Sequence, residues 1–114
     1  MTARRYPCEH RWDPGILDGT LPRGASFADL DAYAEIGGRF LFIEHKPAGY
    51  AWEPGNGQYR ALKALARLPG CIVWFLRDTD GGYEVRSLGT AEPLTFVTLE
   101  QLRQRIAFWA AEND

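Results

Sequence analysis

Two consecutive glycines, Gly37 and Gly38, constrain this chain more than any other feature, because of what flanks them. On one side Asp29, Asp31, Tyr33 and Glu35 alternate with Leu30, Ala32, Ala34 and Ile36. On the other side runs Arg39-Phe40-Leu41-Phe42-Ile43-Glu44-His45-Lys46, closed by Pro47. Alternation with period two is the pattern of strands. Gly-Gly supplies the two positive φ angles that a two-residue hairpin turn demands. The expected element is therefore a β-hairpin spanning Phe27–Ile36 and Arg39–Lys46. With both glycines in the loop, Ile36 pairs with Arg39, Asp31 faces Glu44, and Asp29 faces Lys46. A longer glycine-containing turn would shift this pairing, and a shift of two residues would make Asp29 the ligand in place of Asp31.

Directly opposed residues have Cβ atoms about 4.5–5.5 Å apart, and like charges at that distance are destabilising. Two carboxylates so placed call for a proton or a cation between them. Oxygen ligands at this spacing suit Mg²⁺ or Mn²⁺, which take one or two carboxylates and keep several waters. The competing account is that Asp29, Asp31, Glu35 and Glu44 form only the solvated side of a ribbon. Phe42 and Tyr33 share that side, so it is not a clean polar face. Asp31 is favoured over Asp29 as the ligand because it opposes Glu44, which leaves Asp29 to orient Lys46 or to act in the outer sphere.

Beyond the hairpin the pattern alternates helix and strand. Asn56–Leu68 reads as a helix with Asn56 as N-cap and a buried stripe of Tyr59, Leu62, Leu65 and Ala66, stopped by Pro69-Gly70. Cys71–Arg77 is apolar on both faces, the signature of a central strand. Its position directly after a helix predicts a β-α-β crossover and parallel pairing with the Glu44 strand. Asp78 to Gly82 reads as a turn, Tyr83–Leu88 as a returning strand, and Leu94–Val97 as a short edge strand. Thr98 and Gln101 form a capping box opening a final helix to about Ala111, with Leu99, Leu102, Ile106 and Trp109 on its buried face.

Asp31 followed, across a hairpin, by Glu44-His45-Lys46 resembles the core of the PD-(D/E)XK nuclease superfamily, and the spacing is similar to its RecB-like branch. The resemblance implies an α/β fold, a restriction-endonuclease-like mixed central sheet flanked by helices. It also implies that Asp31 and Glu44 hold the catalytic Mg²⁺ or Mn²⁺, joined by the backbone carbonyl of His45, and that Lys46 positions or activates the attacking water. RecB-like nucleases carry a glutamine on the helix after this strand. Gln58 matches that position, with Leu62 where the family has a tyrosine one turn later. Related nucleases also draw an acidic residue from an N-terminal segment, which singles out Glu9.

Several residues have two readings. Arg60, Lys63 and Arg67 form one basic stripe, either a solvated helix face or a track for phosphates. Tyr50 and Trp52, in the loop after the hairpin, either stack on unpaired bases or pack the loop itself. Cys8-Glu9-His10 lacks a second pair at zinc spacing, and Cys8 and Cys71 form no disulfide framework. The chain of 114 residues is expected to be one domain, residues 1–114, whose first 26 residues form a turn-rich arm bearing Arg4, Arg5, Arg11 and Arg23.

A formal net charge of −2 provides no global attraction for nucleic acid, so binding would rest on local basic patches and the metal. No apolar run is long enough to span a membrane and no targeting motif stands out, so a cytoplasmic protein is expected, in a host cytoplasm if the gene is viral. The function expected is metal-dependent phosphodiester hydrolysis, with DNA as the first substrate and RNA as the second. A homodimer would supply the surface that a long duplex needs. The alternative is a catalytically inactive module of the same fold that binds nucleic acid or protein.

Overall fold

The computed structural model describes residues 13–17, 19–23, 30–51 and 57–114. Among these, a short 3-10 helix at Pro14–Leu17 precedes a five-stranded sheet and two α-helices. The strands are β1 (Ala32–Ile36), β2 (Arg39–Lys46), β3 (Cys71–Thr79), β4 (Gly82–Ser87) and β5 (Thr95–Val97). The helices are α1 (Gly57–Leu65) and α2 (Leu99–Asn113). The architecture is mixed α/β, with sheet order β1-β2-β3-β4-β5. Among the described strands only β2 and β3 pair in parallel, and α1 lies in the connection between them.

The hairpin register follows from its glycines. Gly37 and Gly38 have φ of 60° and 84°, and Ile36 pairs with Arg39, Ala34 with Leu41 and Ala32 with Ile43. β1 is shorter than expected, beginning at Ala32 rather than Phe27; residues 24–29 lie outside the described part. At its start, the Asp31 carboxylate accepts the His45 N–H at 2.7 Å, so a side chain takes over where a backbone carbonyl would have continued the ladder.

β3 lies at the centre. Val73, Trp74, Phe75 and Leu76 are all buried, although Ile72 at the strand's start is partly exposed. β3 and β4 are both longer towards their shared turn than the sequence implies. Asp78 pairs with Tyr83 and Thr79 with Gly82, which leaves only Asp80 and Gly81 as the turn, Gly81 at φ 80°. Glycine is needed at position 82 for a different reason. A Cβ there would lie 2.2 Å from the Val97 carbonyl oxygen, so β5 can approach only a bare backbone.

The two helices cover opposite faces. α2 packs Leu102 and Trp109 over Leu41, Trp74, Leu76, Val85 and Val97. α1 packs Leu62 over Val73, Phe75 and Leu88, with Tyr59, Leu65 and Ala66 around it. The capping box forms as the sequence predicts: Thr98 Oγ1 accepts the Gln101 N–H and Gln101 Oε1 accepts the Thr98 N–H. Leu99 is a correction: it is 55% exposed at the first position of α2, and the buried stripe starts one turn later, at Leu102. α1 also ends earlier than expected, at Leu65, and closes with i→i+3 bonds from Arg67 to Ala64 and Leu68 to Leu65. The expected N-cap, Asn56, lies outside the described residues. No helix among the described residues is long and apolar enough to cross a membrane.

Candidate metal and nucleic-acid site

Alternation along β2 assigns Phe42, Glu44 and Lys46 to the α1 face and Leu41, Ile43 and His45 to the α2 face. The contacts agree with this parity. Phe42 belongs to the α1 cluster and Leu41 to the α2 cluster. Glu44 is 3% exposed and is the one buried charged side chain among the described residues. Burial of a carboxylate is costly unless its oxygens are hydrogen-bonded or paired with positive charge, and three groups meet that demand. The Asp31 N–H donates to Glu44 Oε1 at 3.4 Å, Gln58 Nε2 donates to Oε2 at 2.5 Å, and Lys46 Nζ stands 3.4 Å from Oε2.

The expected opposition of Asp31 and Glu44 is therefore present, one residue beyond the last ladder pair. The repulsion between them is moderated in a way the sequence did not reveal. Each carboxylate accepts a backbone N–H from the opposing segment, Asp31 from His45 and Glu44 from Asp31. Glu44 Oε2 is engaged by two donors, whereas Oε1 receives a single long bond. Among the described residues, no group of three or more Asp, Glu, His or Cys side chains converges. Two carboxylates, each with an oxygen that is lightly used or unused, match the few protein ligands that Mg²⁺ or Mn²⁺ takes while retaining its waters. The residues present thus fit a hard divalent cation.

Lys46 is held from a second side. Its Nζ lies 5.1 Å from the centroid of the Tyr50 ring, within cation–π range. Tyr50 is itself packed, its ring 5.9 Å from that of Phe75 and its carbonyl accepting from Arg77 at 2.6 Å. Of the two readings of Tyr50, packing is what the contacts describe. Gln58 sits in the first turn of α1 and binds Glu44. The His45 imidazole lies on the other face, bonded to Asp78 at 2.8 Å and edge-on to Tyr83, so only its backbone adjoins Asp31. Asp29, Glu9 and Trp52 lie outside the described residues. The acidic partner of Lys46 that is described is Glu44, two residues back on its own strand.

Arg77 was not singled out from the sequence. It pairs with Lys46 in the parallel register, and its guanidinium is bound by Glu84 at 2.6 and 2.7 Å. This anchors the carbonyl of Tyr50, and with it the aromatic wall beside Lys46. The signal was available in the expected parallel pairing of the two strands.

The basic stripe divides. Lys63 and Arg67 line an open groove of about 310 Å³ between α1 and the segment after β4, together with Arg86 and Glu92, whereas Arg60 is exposed and not part of the lining. Comparison with protein-family models, with curated proteins and with solved structures gives no match.

Proposed function

We propose that this chain is a metal-dependent nuclease of the PD-(D/E)XK type, with a restriction-endonuclease-like sheet, that hydrolyses phosphodiester bonds in DNA. The observation carrying this reading is the buried Glu44 carboxylate. It faces Asp31 from the partner strand and is flanked on one oxygen by Lys46 and Gln58. A structural ion pair would not require a second carboxylate beside it.

Asp31 and Glu44 would hold Mg²⁺ or Mn²⁺, with the His45 carbonyl as the further ligand that the family resemblance adds. When bound, such an ion polarises a phosphoryl oxygen and lowers the pKa of a coordinated water. The protein's own contributions are positional. Gln58 fixes the Glu44 carboxylate so that one oxygen is committed and the other remains available. Tyr50 and Glu44 together hold the Lys46 ammonium at a set place, where it orients a water or offsets negative charge accumulating on the phosphorus centre. The hairpin keeps the two carboxylates at fixed separation, since β1 and β2 cannot slide without exposing Ile36 and Ile43.

The test is incubation with labelled duplex, single-stranded, flap and four-way-junction DNA in Mg²⁺ and in Mn²⁺, beside Asp31→Asn. Cleavage that requires the cation and is lost in the variant is expected. Cleavage by the variant at the wild-type rate, or none by wild type with either ion, refutes the reading.

A further inference from the structure

One row of residues crosses four neighbouring segments on the α1 face of the sheet. Asp31 adjoins Glu44, Glu44 pairs with Phe75, and Phe75 pairs with Arg86. Adjacent strands are about 4.8 Å apart, so the Arg86 backbone stands about 10 Å from that of Glu44. The row is negative at one end and positive at the other, with the buried Phe75 between. That separation is too large for Arg86 to touch a group bound at Glu44, and it places Arg86 in the groove beside α1.

The groove is locally basic. Lys63, Arg67 and Arg86 contribute three positive charges and Glu92 one negative charge, a local excess in a protein whose net charge is −2. Tyr59 supplies an aromatic side on the flank nearer Gln58. The far side is set by Gly89, at φ 76°, where a Cβ would come within 3.0 Å of the Ala66 side chain. This close approach holds the turn after β4 against the end of α1 and fixes the width of the opening. About 310 Å³ admits one nucleotide-sized group; a duplex does not enter.

We infer that this groove is a second phosphate site that takes a nucleotide of an unpaired strand, with Lys63, Arg67 and Arg86 on its phosphate and Tyr59 beside its sugar or base. It rests on the nuclease reading in that the strand's neighbouring phosphate would lie at Asp31 and Glu44. It assigns Arg86 to substrate binding and removes Arg60 from it.

Binding of a short labelled oligothymidylate, followed by fluorescence anisotropy in EDTA over a range of salt, isolates the groove from catalysis. Lys63→Gln, Arg67→Gln and Arg86→Gln should each reduce the slope of log affinity against log salt by about 0.7, the value for one phosphate contact on a single strand. Arg60→Gln should leave the slope unchanged, and a duplex of equal length should bind more weakly than the single strand. Lys63 is exposed on α1 and Arg67 is exposed in the turn after it, so their variants carry the test even if Arg86→Gln fails to fold. Equal losses from Arg60→Gln and Lys63→Gln, unchanged slopes in the groove variants, or preference for duplex would overturn the inference. Intact groove-dependent binding without cleavage in Mn²⁺ would instead defeat the nuclease reading alone, and cleavage with unchanged slopes would defeat the groove alone.

Discussion

Replacing Glu44 by glutamine changes one atom and tests the whole site. From the opposed carboxylates alone, the substitution should relieve repulsion and stabilise the fold. The hydrogen-bond pattern reverses that sign. Both Glu44 oxygens accept, Oε1 from the Asp31 N–H and Oε2 from Gln58, with Lys46 also on Oε2. In either orientation the glutamine amide sets its NH₂ against a donor. An unsatisfied polar group at a buried position costs about 1–3 kcal/mol. Relief of the Asp31 contact returns at most about 1 kcal/mol, because cross-strand pairs are worth that little and Asp31 is exposed. A net loss of about 1–2 kcal/mol remains. At about 4 °C per kcal/mol for a chain of this size, Glu44→Gln should melt about 4–8 °C below wild type by circular dichroism in EDTA. With Mn²⁺ at a hundredfold excess over its Kd the wild type should gain about 2.7 kcal/mol, and the variant should gain much less. A variant melting at or above wild type in EDTA would show that the buried carboxylate is not satisfied by its neighbours. An equal Mn²⁺ shift in both proteins would show that the ion does not use Glu44.

Lys46→Met keeps the aliphatic stem against Tyr50 and removes the ammonium from Glu44; it should lower stability by about 3 kcal/mol, the low end for a broken buried pair because Lys46 is 20% exposed, and abolish cleavage in the substrate panel. Gly82→Ala forces a Cβ into the Val97 carbonyl at 2.2 Å and should cost about 3 kcal/mol, read as a lower urea midpoint. Trp109→Ala removes the largest α2 contact with the sheet and should cost about 3–5 kcal/mol. Because α2 packs on the face away from Glu44, the still-folded fraction of Trp109→Ala should cleave at the wild-type specific rate, measured well below its melting temperature.

The hairpin was legible because its information is local: Gly37 and Gly38 allow one tight turn, and alternation then dictates every pair down to Asp31 and Glu44. The parallel partner, β3, was legible because a helix between two apolar strands leaves little choice of connection. The β3–β4 turn was misjudged, since Asp78, Thr79, Asp80, Gly81 and Gly82 all carry turn chemistry and composition could not say which two make the turn. That error hid Arg86, whose place opposite Phe75 follows only once Asp80-Gly81 is the loop. It also hid the His45–Asp78 contact, because Asp78 was assigned to a turn when it belongs to β3. Leu99 misled because periodicity reports which face of a helix is apolar, not at which turn along that face burial begins.

The two faces of the sheet are unequally secured, and the site belongs to the lighter one. α2 is fifteen residues long, capped at its start and anchored by Trp109, whereas α1 has nine, fewer than the roughly 12–15 an isolated helix needs to persist in water. α1 is therefore held by Leu62 and its neighbours against Val73, Phe75 and Leu88. Its amides should exchange with deuterium sooner than those of β3 or α2, through an opening that leaves the rest of the molecule intact. Each such opening carries Gln58 away from Glu44 and admits water to the carboxylate. The lifetime of the ordered site is thus the residence time of one short helix, and a nucleotide seated against Lys63 and Arg67 would lengthen it.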